Sequence, residues 1–275
     1  MKIGTELIND INECKVNYGE LAFWWLGQMG YAIKIDQTIL YIDAYLEDSN
    51  ARNIPTLLNP SEVRNADIIL GTHDHDDHID RSSWNQMSKS SPNAKFITPS
   101  ILLPSLAKDL EIEEERFIGL NDGVDVNLNG ISIRGIASAH EALNQDKRTG
   151  EYPCLGYIIE GNGVKIYHAG DTCIYPELYK KLKENSHFSA IFLPINGRDA
   201  KRLENNIIGN MTYQEATDLA GYIEPDLVVP GHYEMFSENS ENPELFTRYL
   251  RVKYPHLKAW VGEHGERVIL QPRKS

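Results

Sequence analysis

Residues 73–78 read His-Asp-His-Asp-Asp-His and follow, after Thr72, a short apolar segment, 68–71, which the pattern predicts to be a buried strand. In an extended loop the side chains at positions 73 and 75 point the same way, whereas Asp77 and His78 are adjacent and diverge. Imidazole and carboxylate groups in such a cluster are ligands of zinc, manganese or iron. We therefore expect two neighbouring metal positions here rather than an exposed polar turn.

Three further candidate ligands, His140, Asp171 and His232, occur later in the chain. Each follows the end of a predicted strand, namely 131–137, 164–167 and 227–230. The carboxyl ends of strands are where α/β folds place their binding sites. The sequence therefore predicts that four loops converge on one site.

Apolar runs bounded by turn residues predict strands with helices between them. The predicted strands are 21–26, 31–35, 39–42, 68–71, 95–98, 116–120, 124–128, 131–137, 155–160, 164–167, 190–194 and 227–230. The predicted helices are 100–110, 176–184, one opened by Thr212, and 243–254, followed by a hairpin centred on residues 264 and 265. No linker or repeat interrupts this pattern, so we expect one α/β (α+β) domain over residues 1–275.

The composition limits which binding partners and which cellular compartment we expect. The chain has 27 Lys and Arg against 40 Asp and Glu, a formal net charge of −13, which disfavours nucleic acid as a partner. The longest apolar run, 21–26, is far shorter than the roughly 20 residues of a membrane span. We therefore predict a cytoplasmic protein with no membrane partner. The three cysteines form no CxxC pair, so a thiolate zinc site is not indicated.

The order of the HxHxDH run, His140, the Ala-Gly-Asp-Thr segment 169–172 and the Pro-Gly-His segment 230–232 resembles the metallo-β-lactamase fold superfamily. This resemblance covers nearly the whole chain. Three segments are similar to the L-ascorbate-6-phosphate lactonase branch, namely 23–27, 72–80 and 167–171. Two others look more like the general metal-dependent hydrolases of that branch, namely 138–141 and 231–234.

The resemblance implies a four-layer αβ/βα sandwich with two mixed β-sheets between helical layers. It also implies two divalent ions per chain, zinc or manganese, although the family includes one-metal states. By the family pattern one ion binds His73, His75 and His140, the other binds Asp77, His78 and His232, and Asp171 bridges them. A hydroxide held by the ions would be the nucleophile. Asp77 would be the catalytic residue that orients it and carries its proton to the leaving group.

Two residues near the expected ligands have two interpretations each. Asp43 ends the predicted strand 39–42 and either orients a ligand histidine or caps a turn. His168 either supports the ligands from behind or packs at a strand end. The other histidines carry no such pattern, and we predict them to be surface residues: His187, His256 and His264.

The long loop 195–211 is basic and ends at the helix that Thr212 opens, where backbone N–H groups favour anions. We expect Asn196, Arg198 and Thr212 to bind a phosphate or carboxylate of a small anionic substrate. The alternative is that they are solvated loop residues. The loop 141–153, which follows His140, is a candidate lid.

The leading hypothesis is a hydrolase that opens a lactone or ester of a small, phosphorylated, sugar-like compound, as the lactonase resemblance implies. A phosphodiesterase or nuclease using the same two-metal site is the alternative, and the acidic charge argues against a nuclease. A non-catalytic metal-binding sensor is the third hypothesis. A sensor that keeps the fold but has lost its metals is disfavoured, because all seven expected ligand positions are filled. Trp24, Trp25 and Trp84 belong either to the core or to the surface of a homo-oligomer.

Overall fold

The structure is a computed structural model that describes residues 1–271. Two β-sheets pack face to face, and helices cover their outer sides. This arrangement confirms the predicted class of two mixed sheets between helical layers.

Within residues 1–271, the first sheet is built from β1 (Leu21–Gly27), β2 (Gly30–Ile35), β3 (Thr38–Ile42), β4 (Ile68–Leu70), β5 (Lys95–Pro99), β6 (Phe117–Leu120) and β13 (Arg267–Leu270). Their order across the sheet is β13-β1-β2-β3-β4-β5-β6. Pairing is antiparallel from β13 to β3 and parallel from β3 to β6, so the sheet is mixed.

The second sheet consists of β7 (Asp125–Leu128), β8 (Ile131–Ala137), β9 (Leu155–Gly161), β10 (Val164–His168), β11 (Ala190–Pro194) and β12 (Leu227–Gly231). Its order is β12-β11-β10-β9-β8-β7. Neighbours from β7 to β10 are antiparallel, and those from β10 to β12 are parallel. The hairpin turns at 129–130 and 161–163 join β7 to β8 and β9 to β10, as predicted.

The helices are α1 (Gly4–Glu13), α2 (Arg81–Ser90), α3 (Leu103–Leu110), α4 (Pro176–Asn185), α5 (Ala200–Glu204), α6 (Tyr213–Ile223) and α7 (Pro243–Lys253). Apolar residues of α1, α2 and α3 share a core with the first sheet. Those of α4, α6 and α7 belong to the core that includes both sheets. Thr212 caps α6 with a capping box, as the sequence predicted.

Strand β1 shows how one apolar run serves two cores. Leu21, Phe23 and Trp25 lie in the core between the sheets. Ala22, Trp24 and Leu26 point to the other face and lie beneath the helices α1–α3. Because both faces are buried, the strand is continuously apolar instead of alternating. Trp24, Trp25 and Trp84 are at most 1% exposed, so these side chains are core residues and not an oligomer surface.

Three helices and the end of the chain differ from the predictions. Helices α1, α2 and α5 were not predicted, and α5 lies within the segment 195–211 that was expected to be a loop. In α2 only Trp84 and Met87 are buried large apolar residues, which leaves little periodic signal. That helix begins where the Asp80 carboxylate accepts a hydrogen bond from Ser83 N at 2.9 Å. The prediction of a hairpin centred on residues 264 and 265 is wrong, because β13 pairs with β1 and not with the residues that precede β13.

The strands that precede the candidate ligands are β4, β8, β10 and β12, and the loops after them meet at one place. The sandwich therefore supplies a rigid frame, and the site is built from the loops on it. Across residues 1–271, no helix combines the length and the apolarity that crossing a membrane requires.

Candidate metal centre

The first group of candidate ligands is His73, His75 and His140, which come from the loops after β4 and β8. The distances from His75 Nδ1 to His73 Nε2 and His140 Nε2 are 3.0 and 3.2 Å. Two ligands of one tetrahedral zinc ion, with bonds of about 2.0–2.1 Å, stand about 3.4 Å apart. The triangle of nitrogens therefore has the size of one coordination shell.

The second group is Asp77, His78 and His232, which combines the loop after β4 with the loop after β12. Asp77 Oδ2 lies 3.6 Å from His78 Nε2 and 3.7 Å from His232 Nε2. His232 has a left-handed backbone with φ 64°, a conformation that is strained for a non-glycine residue. The turn after β12 thus places the imidazole opposite Asp77.

Asp171, from the loop after β10, stands between the two groups. Its Oδ1 lies 3.4 Å from His78 Nε2. Its Oδ2 lies 3.2 Å from His232 Nε2 and 3.9 Å from His140 Nε2. One carboxylate therefore faces ligands of both groups, which is the geometry of a bridging ligand.

Two buried atoms in this centre, His78 Nε2 and Asp171 Oδ1, have no hydrogen-bond partner in the described part of the chain. Leaving a buried polar atom unpaired costs about 1–3 kcal/mol. Both atoms point into a set of nitrogen and carboxylate donors that suits zinc, manganese or iron. The residues therefore fit divalent metal ions.

The protonation of the first group suits metal binding. Burial lowers the pKa of His140 and holds the pKa of His73 well below its usual range. Both imidazoles are therefore neutral at pH 7. A neutral imidazole has a free lone pair, which is the form that binds a metal.

In the second group the pKa values of the two histidines shift in the opposite direction. Burial opposes the charged form of His78 and His232, but the nearby carboxylates, Asp171 foremost, together outweigh it and raise the pKa of both. Burial also opposes the charged form of Asp171, yet His232 and His78 hold its pKa well below its usual range. The anionic Asp171 is thus compensated by cationic neighbours, a role that metal ions would take over.

Asp43 contacts this centre from the end of β3. Its Oδ2 accepts a hydrogen bond from His78 Nδ1 at 2.7 Å and one from Thr72 Oγ1 at 2.7 Å. Its Oδ1 accepts from Thr72 N at 2.9 Å. Asp43 is fully buried, and these bonds turn His78 Nε2 towards Asp77. The geometry supports the interpretation that Asp43 orients a ligand.

His168 lies behind the turn that carries Asp171. It is fully buried, and its Nε2 donates to Met29 O at 2.7 Å. Its Nδ1 accepts from Gly170 N at 3.2 Å. The ring therefore ties the turn between β1 and β2 to the Asp171 loop.

Two amide residues that the sequence analysis missed contact the ligands directly. Asn210 Oδ1 accepts a hydrogen bond from His140 Nδ1 at 3.0 Å. Gln28 Nε2 lies 3.1 Å from His232 Nδ1 and 3.4 Å from Asp77 Oδ2. Gln28 follows β1 as the ligands follow their strands, so the strand-end rule, extended to amides, would have found it. Asn210 lies at the end of an irregular loop and has no such signal.

The centre opens into a cavity of about 170 Å³. Its wall consists of His75, Asp77, His140, Asp171, Asn206, Ile207, Ile208, His232 and Asn239. The loop 195–211 contributes to this wall, as expected, but the candidate lid 141–153 does not. A larger cavity of about 490 Å³ lies between residues 46–60 and 82–86, and none of the candidate ligands lines it.

The three residues expected to bind an anion do not line the cavity. Arg198 Nη1 and Nη2 donate to the two carboxylate oxygens of Glu215 at 2.7 Å each. Glu215 also caps α6 together with Thr212. Asn196 is fully buried. The carboxylate of Glu215 thus occupies the place where a substrate anion was expected.

The surface prediction fails for His264, which is 8% exposed and stacks on Trp25 with ring centroids 3.8 Å apart. Burial lowers its pKa to about 4. The side chains of His187 and His256 are 39% and 59% exposed, as predicted for surface residues.

A family model described as "Beta-lactamase superfamily domain" matches residues 38–233, a stretch that contains all seven candidate ligands. A relative called a UPF0173 metal-dependent hydrolase, from Thermococcus kodakarensis, is 29% identical over 248 residues, which is 90% of this chain and 95% of the relative. Another of that description, from Sulfurisphaera tokodaii, is 28% identical over 246 residues, which is 90% of this chain and 98% of the relative.

Solved structures show the same fold. Igni18, a metallo hydrolase from Ignicoccus hospitalis, matches with a TM-score of 0.73 and 22% identity, over 92% of this chain and 99% of its own. CmlA, a diiron β-hydroxylase from Streptomyces venezuelae, matches with a TM-score of 0.68 and 14% identity, over 94% of this chain and 55% of its own. At these identities the likeness establishes the fold alone. Because the family match spans most of the chain and strands of both sheets, this chain belongs to the β-lactamase superfamily domain family and has the metallo-β-lactamase fold.

Proposed function

We propose that the protein is a metal-dependent hydrolase that opens a lactone or a related carboxylic ester of a small molecule. The observation that carries this proposal is the pair of ligand groups joined by Asp171, in which two buried atoms, His78 Nε2 and Asp171 Oδ1, have no hydrogen-bond partner within residues 1–271. The relatives described as metal-dependent hydrolases support the reaction class. The lactonase resemblance makes a phosphorylated sugar lactone the specific candidate.

One ion would be held by His73, His75 and His140, the other by Asp77, His78 and His232, with Asp171 shared. When bound, zinc or manganese ions would supply Lewis acidity and lower the pKa of a water molecule towards neutrality.

Asp77 is the carboxylate best placed to move a proton. Its side chain is 19% exposed and lines the cavity, whereas that of Asp171 is 4% exposed. We assign to Asp77 the proton released by the attacking water and its delivery to the leaving oxygen. Gln28 Nε2, 3.4 Å from Asp77 Oδ2, helps to hold the carboxylate in place.

The cavity limits the size of the substrate and the groups that can bind its charge. A volume of about 170 Å³ admits a small molecule or one end of a larger one. Among the described residues that line it, none is lysine or arginine. A phosphate or carboxylate on a small anionic substrate would therefore be held by the metal ions and not by Arg198.

The test is hydrolysis by protein reconstituted separately with zinc and with manganese. The probes are γ-butyrolactone, 4-nitrophenyl acetate and bis(4-nitrophenyl) phosphate. We expect turnover of the lactone and the ester that EDTA abolishes and added metal restores. His75→Ala and Asp77→Asn should lower kcat/KM by at least about 100-fold.

Asp76→Asn is the matched control, because Asp76 neighbours Asp77 but is exposed; this variant should keep the wild-type rate. Turnover of the phosphodiester alone would favour the phosphodiesterase alternative. Two bound ions without turnover of any probe would favour a sensor.

A further inference from the structure

Behind His140, three asparagine side chains form a chain of hydrogen bonds that ends at the cavity wall. Asn210 Oδ1 lies 3.0 Å from His140 Nδ1. Asn210 Nδ2 donates to Asn196 Oδ1 at 3.2 Å, and Asn196 Nδ2 donates to Asn239 Oδ1 at 2.7 Å. Asn196 and Asn210 are fully buried, whereas Asn239 is half-buried and lines the cavity.

These hydrogen bonds can run in only one direction when His140 binds a metal through Nε2. The proton of the neutral imidazole is then on Nδ1, so Asn210 must present its oxygen to that proton. An amide has one oxygen that accepts and one NH₂ group that donates. Each amide therefore fixes the next, and Asn239 must turn its oxygen towards Asn196.

The NH₂ group is therefore the polar group that Asn239, a residue of the cavity wall, has left to offer a ligand. It has no hydrogen-bond partner in the part of the chain that the structure describes, residues 1–271. The apolar side chains of Ile207 and Ile208 form the neighbouring wall and offer no donor. Asn239 thus presents an uncharged donor of fixed orientation beside the candidate metal ligands.

We propose that Asn239 is a substrate-binding residue that donates a hydrogen bond from Nδ2 to an oxygen of the ester or lactone group. Asn196 and Asn210 are positioning residues that keep the Asn239 oxygen away from the substrate. This inference rests on the proposed hydrolase function and specifies how its substrate is held. It also gives Asn196, a residue expected from the sequence to touch the substrate, an indirect role.

The first test compares Asn239→Ala and Asn239→Asp with the wild type on 4-nitrophenyl acetate. Loss of the donor should reduce kcat/KM by about tenfold, and Asn239→Asp should lose more, about 100-fold, because a carboxylate oxygen would face the substrate oxygen. Zinc content should match the wild type in both variants. Asn205→Asp, the same change at an exposed residue outside the cavity wall, should keep the wild-type rate.

The second test addresses the chain of amides through Asn196→Asp. The new carboxylate still accepts from Asn210 but cannot donate to Asn239, so Asn239 turns its NH₂ group away from the cavity. We expect the kinetic loss of Asn239→Ala with unchanged zinc affinity, and no further loss in the double variant. If the losses in kcat/KM of the two single variants multiply in the double variant, Asn196 does not act through Asn239, and the proposed chain of hydrogen bonds is overturned. If Asn196→Asp does not fold, the two variants of the half-buried Asn239 still decide the proposal.

A binding measurement separates this inference from the hydrolase proposal. Acetate, whose oxygens accept hydrogen bonds, is titrated by calorimetry into zinc-loaded protein. We expect Asn239→Ala to bind acetate about tenfold more weakly than the wild type. Acetate binding without turnover of any probe would refute the hydrolase proposal alone. Equal acetate affinity and equal kcat/KM in Asn239→Ala would overturn the role of Asn239.

Discussion

Asp43 connects strand β3 to the second group of ligands, although it belongs to neither group. Both carboxylate oxygens of Asp43 accept hydrogen bonds, Oδ2 from His78 Nδ1 and Thr72 Oγ1 at 2.7 Å and Oδ1 from Thr72 N at 2.9 Å. In Asp43→Asn one of these oxygens becomes an NH₂ group that faces a donor in either orientation of the amide. Two donors would then oppose each other. We expect the second ion to bind about 10- to 100-fold more weakly, measured by competition with a chromophoric chelator.

Asp36→Asn is the matched control for this change. Asp36 has a similar left-handed backbone, with φ 52° against 47° for Asp43, but lies exposed in the turn between β2 and β3. Its variant should bind both ions as the wild type does. If Asp43→Asn also gave a wild-type titration, Asp43 would have no orienting role.

His264 gives the stability of the protein a dependence on pH that does not involve the metal ligands. Burial lowers its pKa to about 4, against about 6.5 in an unfolded chain. Between these values the unfolded chain binds more protons, so the free energy of unfolding falls as pH falls, by at most about 3 kcal/mol. His264→Phe keeps an aromatic ring on Trp25 but cannot titrate.

The measurement is urea unfolding of both proteins at pH 7.5 and pH 4.5, with EDTA present throughout. We expect the wild type to lose more stability than His264→Phe on acidification. An equal loss in the two proteins would show that His264 keeps an ordinary pKa when folded.

At the level of secondary structure elements, the turns after the strands determine where the ligands lie. Gly170, after β10, has φ 57°, and a Cβ atom there would lie 2.7 Å from the Thr72 Cβ atom. Gly170→Ala therefore combines backbone strain of about 1–2 kcal/mol with overpacking of about 1–3 kcal/mol. We expect urea unfolding to show a loss of about 2–5 kcal/mol, together with weaker ion binding because Thr72 holds Asp43.

Gly123→Ala separates the two causes. Gly123 has φ 73°, and nothing lies within 4 Å of a Cβ atom built on it. This variant carries the backbone strain alone and should bind ions normally. Equal losses of stability in the two variants would mean that the contact with Thr72 is unimportant.

The elements that could be predicted from sequence are those with a local signal. Strands β8 and β11 were predicted with the bounds that the structure has, because β8 begins with alternating apolar and polar residues after an Asn-Gly turn and β11 is a short, continuously apolar run. Helix α2 and the pairing of β13 with β1 escaped prediction. The helix is held by two apolar side chains and a cap, and the pairing joins opposite ends of the chain.

In the site, too, residues with a local sequence signal could be predicted, and residues that depend on distant contacts could not. The candidate ligands could be predicted because each follows a strand. The residues that hold them depend on contacts between distant loops, such as Asn210 with His140 and Arg198 with Glu215. No local pattern reveals such a partner, so Arg198 was expected to bind a substrate when its guanidinium is already paired.

For the molecule as a whole, metal ions bound at the centre would increase the free energy of unfolding. Ions that bind only the folded chain stabilise it by about 2.7 kcal/mol at a free concentration 100 times Kd. We expect EDTA to lower the thermal unfolding midpoint of the wild type. His75→Ala should respond less than the wild type, because one of the two ions loses a ligand, whereas His256→Ala, at a residue whose side chain is 59% exposed, should respond fully.

The acidic chain and its cavity also differ in charge. The sequence carries a formal net charge of −13, and the described residues of the cavity wall include no lysine or arginine. Positive charge for a small anionic substrate would therefore come from the ions alone. Long polyanions would still be repelled by the surface.

We propose that the seven ligands form one centre for two ions, and the metal content per chain decides whether they do. Protein reconstituted with zinc and freed of excess metal should contain two ions per chain. His140→Ala and His232→Ala should each contain about one, and Asp171→Asn should retain less than one because both ions lose a ligand. A wild-type protein with no bound ion, or ligand variants with the wild-type content, would contradict the claim.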